Sequence, residues 1–384
     1  MSELLEIFEK QKFKSRKEIE NYFSVSPFFF KCKFDEDLPN LVLLSYQIKT
    51  KFGHSDEKIR KATRQARGII IDWKEIKIVS YGFDKFFNIH EEHAGKVNFT
   101  KAKATEKIDG SLIKISTSCF IDKKPLISTS NCIQAKKAKV AFKGNKSTTY
   151  QDLLEETELN KILEEKKLDP NTTYCFELVH PLSTIKINYE LKGIFHLTTR
   201  SNEPPYKECE VDIGVPKPKE FKFKSLLECY NFARNEFSNK HEGIVVCDLD
   251  TYERLKIKSI SYLKLLGVDP NVNPKNIYLK LGELIRKNQM DDFYFQDWRP
   301  FFDKILFQAG SLANEIHNLI SSEKFSFDSI QNSQKWKPMQ KIFAQIKYWQ
   351  QKNENKIPSP DEIKGIIIKM KNFVWFFNEE LEKK

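Results

Sequence analysis

With 384 residues, the chain is long enough for two or three domains, each with its own buried core. Its 64 Lys+Arg against 53 Asp+Glu give a formal charge of +11 and a pI near 9.0, a balance that favours a polyanionic partner such as nucleic acid. No apolar run reaches the roughly 18 residues of a membrane span, and Met1-Ser2-Glu3 opens no basic-then-apolar leader; no membrane role is expected, and the chain is placed in the cytoplasm, or in the host cytoplasm if its source is viral.

Residues 1 to about 35 carry apolar side chains at helical spacing (Leu4, Leu5, Phe8, then Ile19, Tyr22, Phe23), and β-rich sequence begins at Leu41, where the catalytic part is predicted to start. Short strands are predicted at 68–71, 76–81, 111–116, 173–179, 184–188, 193–200, 243–248 and 255–259, with a helical pattern over 151–166. The turn at Tyr189–Gly193 predicts an antiparallel hairpin between two of these strands. Four prolines between 202 and 220 mark an excursion loop. After about 265 the sequence reads as helices with apolar stripes and lysine-rich outer faces, at 273–288, 301–320, 334–352 and 360–384. The expected fold class is therefore α+β: antiparallel sheets with flanking helices over 1–265, then an all-α C-terminal domain over 266–384. Seven cysteines (Cys32, Cys119, Cys132, Cys175, Cys209, Cys229, Cys247) form no C-x-x-C pair and read as reduced thiols.

The chemistry centres on Lys107-Ile108-Asp109-Gly110-Ser111. A lysine two residues before Asp-Gly is how nucleotidyltransferases present an amine to a nucleotide α-phosphate. Around it stand, in order, Ala66-Arg67-Gly68, Asp84-Lys85-Phe86-Phe87-Asn88, Phe176-Glu177-Leu178-Val179, Glu242-Gly243-Ile244-Val245 and Lys256-Ile257-Lys258. An amine with an ordinary pKa of about 10.4 must lose a proton before attacking phosphorus, so nearby positive charge or desolvation is needed. On a strand, i and i+2 share a face, so Lys256 and Lys258 aim two ammonium groups into the site while Ile257 is buried opposite. The same cations would offset charge on a departing pyrophosphate. Gly110 lets the backbone approach a nucleotide closely. Glu177 and Glu242 offer carboxylates for ribose hydroxyls and for a hydrated Mg²⁺. Taken singly, Phe86 and Phe87 would be core residues and Lys256 and Lys258 a solvated strand face; the order of the set reverses that reading for the two lysines and leaves core and site readings of Phe87 both open.

This ordered set resembles the covalent nucleotidyltransferase superfamily and, over roughly residues 40–265, the phage-type RNA ligase 1 family in particular. Ser45-Tyr46, the Lys85-Phe86-Phe87-Asn88 run and Tyr262 carry that closer likeness. The resemblance implies ATP as cofactor, with AMP attached covalently to Lys107, and Mg²⁺. It implies catalytic roles for Lys107, Glu177, Glu242, Lys256 and Lys258. It puts Tyr46, Arg67, Lys85 and Phe87 on the nucleotide together with Asp109 and Gly110, Phe87 by stacking on the base and Arg67 by contacting sugar or phosphate. Glu177 and Asp291, of the acidic pair Asp291-Asp292, are the metal-directed carboxylates. One departure stands out: the basic residue usual after the K-x-D-G turn is missing near Ser130, so either Asn131 or Lys136-Lys137 substitutes or that phosphate contact is absent.

The function the resemblance implies is ATP-dependent joining of RNA 5′-phosphate and 3′-hydroxyl ends through lysyl-AMP and an adenylylated RNA end, in RNA repair, by a monomer. Nicked tRNA is the candidate substrate, recognised by the C-terminal domain. DNA ligases and mRNA guanylyltransferases share the lysine motif but continue past K-x-K into an OB-fold, whereas this chain continues into helices. A further alternative is an RNA-binding relative that has lost the reaction; the intact charged set speaks against it.

Overall fold

The N-terminal helices follow from apolar spacing and from caps. Helix α1 (Glu3–Gln11) buries Leu4, Leu5 and Phe8 along one stripe. Ser15 accepts the Glu18 N–H to start α2 (Arg16–Phe23), and Asp56 accepts those of Lys58 and Ile59 to start α3 (Glu57–Gln65). The computed structural model describes residues 2–47, 49–89, 91, 93–140, 148–165, 168–236, 241–265, 281–286, 299–322, 325–328, 330, 339–370 and 373. Asp291, part of the sequence-predicted metal set, lies outside them.

The chain divides into two units, Met1–Leu265 and Leu266–Lys384. The first holds three sheets. One runs β1 (Lys31–Phe34), β2 (Leu41–Ser45), β3 (Arg67–Asp72) and β4 (Lys77–Ser80), all antiparallel. The three helices pack on it, so that Phe8, Phe23, Phe28 and Phe30 join Val42, Leu44, Ile69 and Ile71 in one core. Each such ring stabilises the fold by about 1.5–3 kcal/mol through burial. The sequence reading starts the sheet at Leu41 and misses β1, whose alternation of Lys31 and Lys33 with Cys32 and Phe34 is an edge-strand pattern too short to register.

The second sheet comprises β7 (Ser111–Ile121), β8 (Lys124–Thr129), β9 (Thr172–Val179), β10 (Gly193–Ser201) and β11 (Glu208–Cys209), in the order β11-β10-β9-β7-β8. The third comprises β5 (Phe87–Asn88), β6 (Ala102–Lys107), β12 (Glu220–Phe221), β13 (Gly243–Asp248) and β14 (Arg254–Lys258), in the order β12-β6-β13-β14-β5. All pairings in these two sheets are antiparallel except β5 with β14.

The strand predicted at 184–188 does not form. The Lys186 and Ile187 N–H groups donate to the Asp109 carboxylate instead of to a ladder, so β10 pairs directly with β9 and the intervening residues form an excursion. The helical pattern over 151–166 becomes two short helices, α4 (Tyr150–Glu155) and α5 (Leu159–Glu165). The first unit closes with helix α6 (Leu226–Asn231), which leads into β13, and with α7 (Ile260–Leu265) after β14.

The described part of the second unit is helical at 281–286, Arg299–Ile320, Gln340–Lys352 and Pro360–Lys369. Ser359 and Glu362 form a capping box at the start of the last. Its Ile363 and Ile367 are buried, as are Ala309, Ala313 and Ile316 of the helix it packs on. Among the described residues no helix is long and apolar enough to cross a membrane.

Candidate active site

Strand register builds the charged centre. Gly243 is paired with Lys107 of β6 on one side and with Lys258 of β14 on the other. A side chain at 243 would collide with its neighbours: φ is +155°, and a β-carbon would lie 2.8 Å from the Lys258 Cα. Glu242, just before it, accepts from the Lys107 Nζ at 2.6 Å and from the Lys258 Nζ at 2.8 Å. Glu242 is 3% exposed. Burial pushes its pKa up, but the two ammonium groups outweigh that and hold it below the usual carboxylate range. Lys256 is also buried, and Ile257 between the two lysines enters the core with Ile244 and Val246, as the i, i+2 argument expects.

Glu177 faces this centre from β9. Its Oε1 accepts the Gly110 N–H at 3.2 Å, and a β-carbon on Gly110 would come within 2.9 Å of the Glu177 Cγ. Burial pushes the Glu177 carboxyl up to about 7, with Lys107 pulling down and Glu242 pushing up. Arg67 lies within electrostatic reach of it. The Arg67 guanidinium covers the rings of Phe86 (4.8 Å) and Phe83 (5.6 Å), and its Nη1 is buried without a hydrogen-bond partner. An unpartnered buried guanidinium nitrogen within electrostatic reach of Glu177, which faces the charged centre, suits a phosphate, so these residues fit a nucleotide.

Tyr46, Lys85 and Phe87 form a second cluster. The Lys85 ammonium lies 4.9 Å from the Tyr46 ring, 5.4 Å from Phe87 and 5.7 Å from Phe52, and 3.4 Å from the Tyr46 hydroxyl. Phe87 is 2% exposed and packs edge-on to Phe52 and His93. Pairing of β5 with β14 sets Phe87 beside Leu255 and Asn88 beside Lys256, which joins the cluster to the charged centre.

Asp109 has a different setting from the one the motif suggests. Its carboxylate accepts from the Tyr262 hydroxyl at 2.8 Å and from the Lys186 and Ile187 N–H groups at 2.9 and 2.7 Å. The Tyr262 ring in turn lies 4.9 Å from the Lys258 ammonium. These hydrogen bonds tie the Lys107–Gly110 turn to Tyr262 and to residues 186–187. Among the described residues no group of three or more His, Cys, Asp or Glu is gathered to hold a metal; Glu177 would offer a carboxylate to a Mg²⁺, an ion that commonly keeps several waters.

Two lysines escape sequence reading. Lys114 of β7 is fully buried, cross-strand from Ser128, and its ammonium donates to the Gly68 carbonyl. Burial drops its pKa to about 8, with the nearby Arg67 adding to the fall. Lys33 of β1 donates to the Asn131 carbonyl, bringing a cation to the turn where the sequence lacks one. Lys137 is instead paired with Asp35 and Asp37 at 2.7 and 2.8 Å.

Against known proteins, a family model described as RNA ligase matches residues 65–265. A protein of Autographa californica nuclear polyhedrosis virus, assigned as a bifunctional polynucleotide kinase/RNA ligase, is 30% identical over 246 residues, 60% of this chain and 34% of its own length. The chain thus spans about a third of that relative. The RNA ligase of Rhodothermus phage RM378 is 25% identical over 362 residues, 76% of each chain. An archaeal ATP-dependent RNA ligase structure aligns at 14% identity and TM-score 0.42, covering 79% of this chain and 73% of its own. The family match covers more than half of the chain and every described residue of the charged centre, and the chain belongs to the phage-type RNA ligase 1 family.

Proposed function

We propose that the protein is an ATP-dependent RNA ligase that works through a covalent lysyl-AMP. The observation that supports this most directly is the Lys107–Glu242–Lys258 bridge, which holds a nucleophilic amine beside one carboxylate and a second cation. Glu242 is the nearest group able to take the Lys107 proton. The freed amine attacks the α-phosphorus of ATP, a nitrogen–phosphorus bond forms, and the bond to the β-phosphate oxygen breaks to release pyrophosphate. Lys256, Lys258 and Arg67 offset the charge gathered on the phosphate oxygens. An RNA 5′-phosphate then displaces Lys107 and takes the AMP; a 3′-hydroxyl attacks that activated end and expels AMP. Glu177 would hold Mg²⁺, which when bound neutralises phosphate charge.

The proposal extends, on family resemblance, to a monomer acting in RNA repair on 5′-phosphate and 3′-hydroxyl ends, with nicked tRNA as the candidate substrate. The test is incubation of protein stripped of AMP by pyrophosphate with Mg²⁺ and α-labelled ATP or GTP. An acid-labile label from ATP at Lys107, absent in Lys107→Ala, is expected. A label from GTP alone would move the reading to capping, and none from either nucleotide would leave an inactive relative.

A further inference from the structure

A groove of about 490 Å³ opens beside the charged centre, lined among others by Lys33, Phe34, Ser111, Asn131, Lys139 and Tyr150. Its position ties it to the site on two sides. Ser111 follows the Lys107–Gly110 motif directly. The Ser130 turn forms another wall, and Gly68, next to Arg67, is pressed against it. The groove therefore begins where the nucleophile loop ends.

Its lining combines cations and rings, together with the Asp35 carboxylate, which is bridged to Lys137. Lys33 bonds to a neutral carbonyl, and among the described residues neither Lys33 nor Lys139 has a carboxylate partner; Lys137, also in the wall, is neutralised by Asp35 and Asp37. Tyr150 presents a half-buried ring, whereas Phe34, on the alternate face of β1 from Lys33, packs against the first core with Arg16 over it. Cations that track a backbone, interleaved with rings on which bases stack, are the means by which single-stranded nucleic acid is held. The volume falls in the range that encloses a ligand of nucleotide size, more than a departing pyrophosphate needs.

We infer that this groove binds the RNA strand that carries the 5′-phosphate, with Lys33 and Lys139 on backbone phosphates next to the reacting end and Tyr150 against a base. The identity of the reacting end rests on the ligase reading above; the binding itself does not.

The experiment uses the full chain, stripped of AMP, with Lys33→Glu, Lys139→Glu and both together. Binding of a fluorescent 5′-phosphorylated single-stranded RNA is followed by anisotropy across a salt series, and self-adenylylation is measured in parallel. The double variant is expected to bind at least about tenfold more weakly. The slope of log affinity against log salt should shrink by roughly 1.4, the value for two lost single-strand phosphate contacts, while labelling by ATP stays within about twofold. Lys33→Arg is expected to keep binding. RNA affinity unchanged in the double variant overturns the inference. So does loss of labelling in step with binding, which would put the lysines on the β- and γ-phosphates of the nucleotide. Exposed Lys139 guards against misfolding: if only Lys33→Glu weakens binding, and its melting point falls too, the effect is packing and the groove is rejected. A wild-type protein that binds RNA here but takes no label from ATP would fail the ligase reading alone.

Discussion

Gly68 and Ser130 are in contact so close that a β-carbon on Gly68 would lie 2.5 Å from the Ser130 carbonyl oxygen, and Gly68 holds φ at +80°. Both facts forbid a side chain there. Gly68→Ala should lose about 1–3 kcal/mol from backbone strain, with a further loss from the collision, and should displace the Arg67 guanidinium. Thermal melting and ATP labelling check this; a variant with wild-type melting and labelling would mean that the Ser130 turn yields freely.

Lys114 makes a pH-dependent contribution with a defined sign. Its pKa falls from 10.5 unfolded to about 8 folded, so between these values the unfolded chain binds more protons and stability rises with pH. The cost of burying the charged form is present in full below about pH 8 and is relieved toward pH 10.5. Lys114→Met removes that slope: relative to wild type it should be most favourable near pH 7 and lose its advantage by pH 10. Melting curves across this range test it. Adenylylation by the variant should drop, because the Gly68 carbonyl next to Arg67 loses its donor.

Glu242→Gln leaves the Lys107 and Lys258 ammonium groups facing one another without the carboxylate between them. Breaking a buried pair by removing one partner costs about 3–5 kcal/mol. Stability should fall by an amount of that order and labelling by ATP by at least about a hundredfold. Adding Lys258→Met should restore most of the stability and none of the labelling; recovery of both would remove Lys258 from the reaction.

A chain of residues 1–265 contains every described residue of the charged centre and the whole first unit. It should label with ATP at a rate within a few-fold of the full chain. Joining of a folded, nicked tRNA should suffer more than joining of linear RNA, and equal losses on both would argue against a recognition role for the helical unit.

The charged centre was legible because its residues lie at strand spacings that fix direction: Lys256 and Lys258 share a face, and glycine follows both Asp109 and Glu242 where the chain is crowded. The helices after 265 were legible from their stripes. What escaped was decided by contacts distant in sequence. The 184–188 segment alternates like a strand, yet Asp109 claims two of its N–H groups. Lys114 falls on an alternate position that usually means solvent, but β7 is buried on both faces from Ile113 to Ser116. Lys33 sits 98 residues from the carbonyl it meets.

Because Lys107 and Lys258 are cross-strand neighbours of one residue, Gly243, the spacing between motifs along the chain is immaterial while their alignment is not. A single inserted residue inside β6 or β14 would turn one lysine to the opposite face; insertions of any length in the connecting loops would leave all three residues aligned. Diverged relatives are therefore better judged by the parity of insertions within these strands than by the lengths of the gaps between motifs, and a lineage that has lost the chemistry could be recognised by one odd insertion with every catalytic residue still in place.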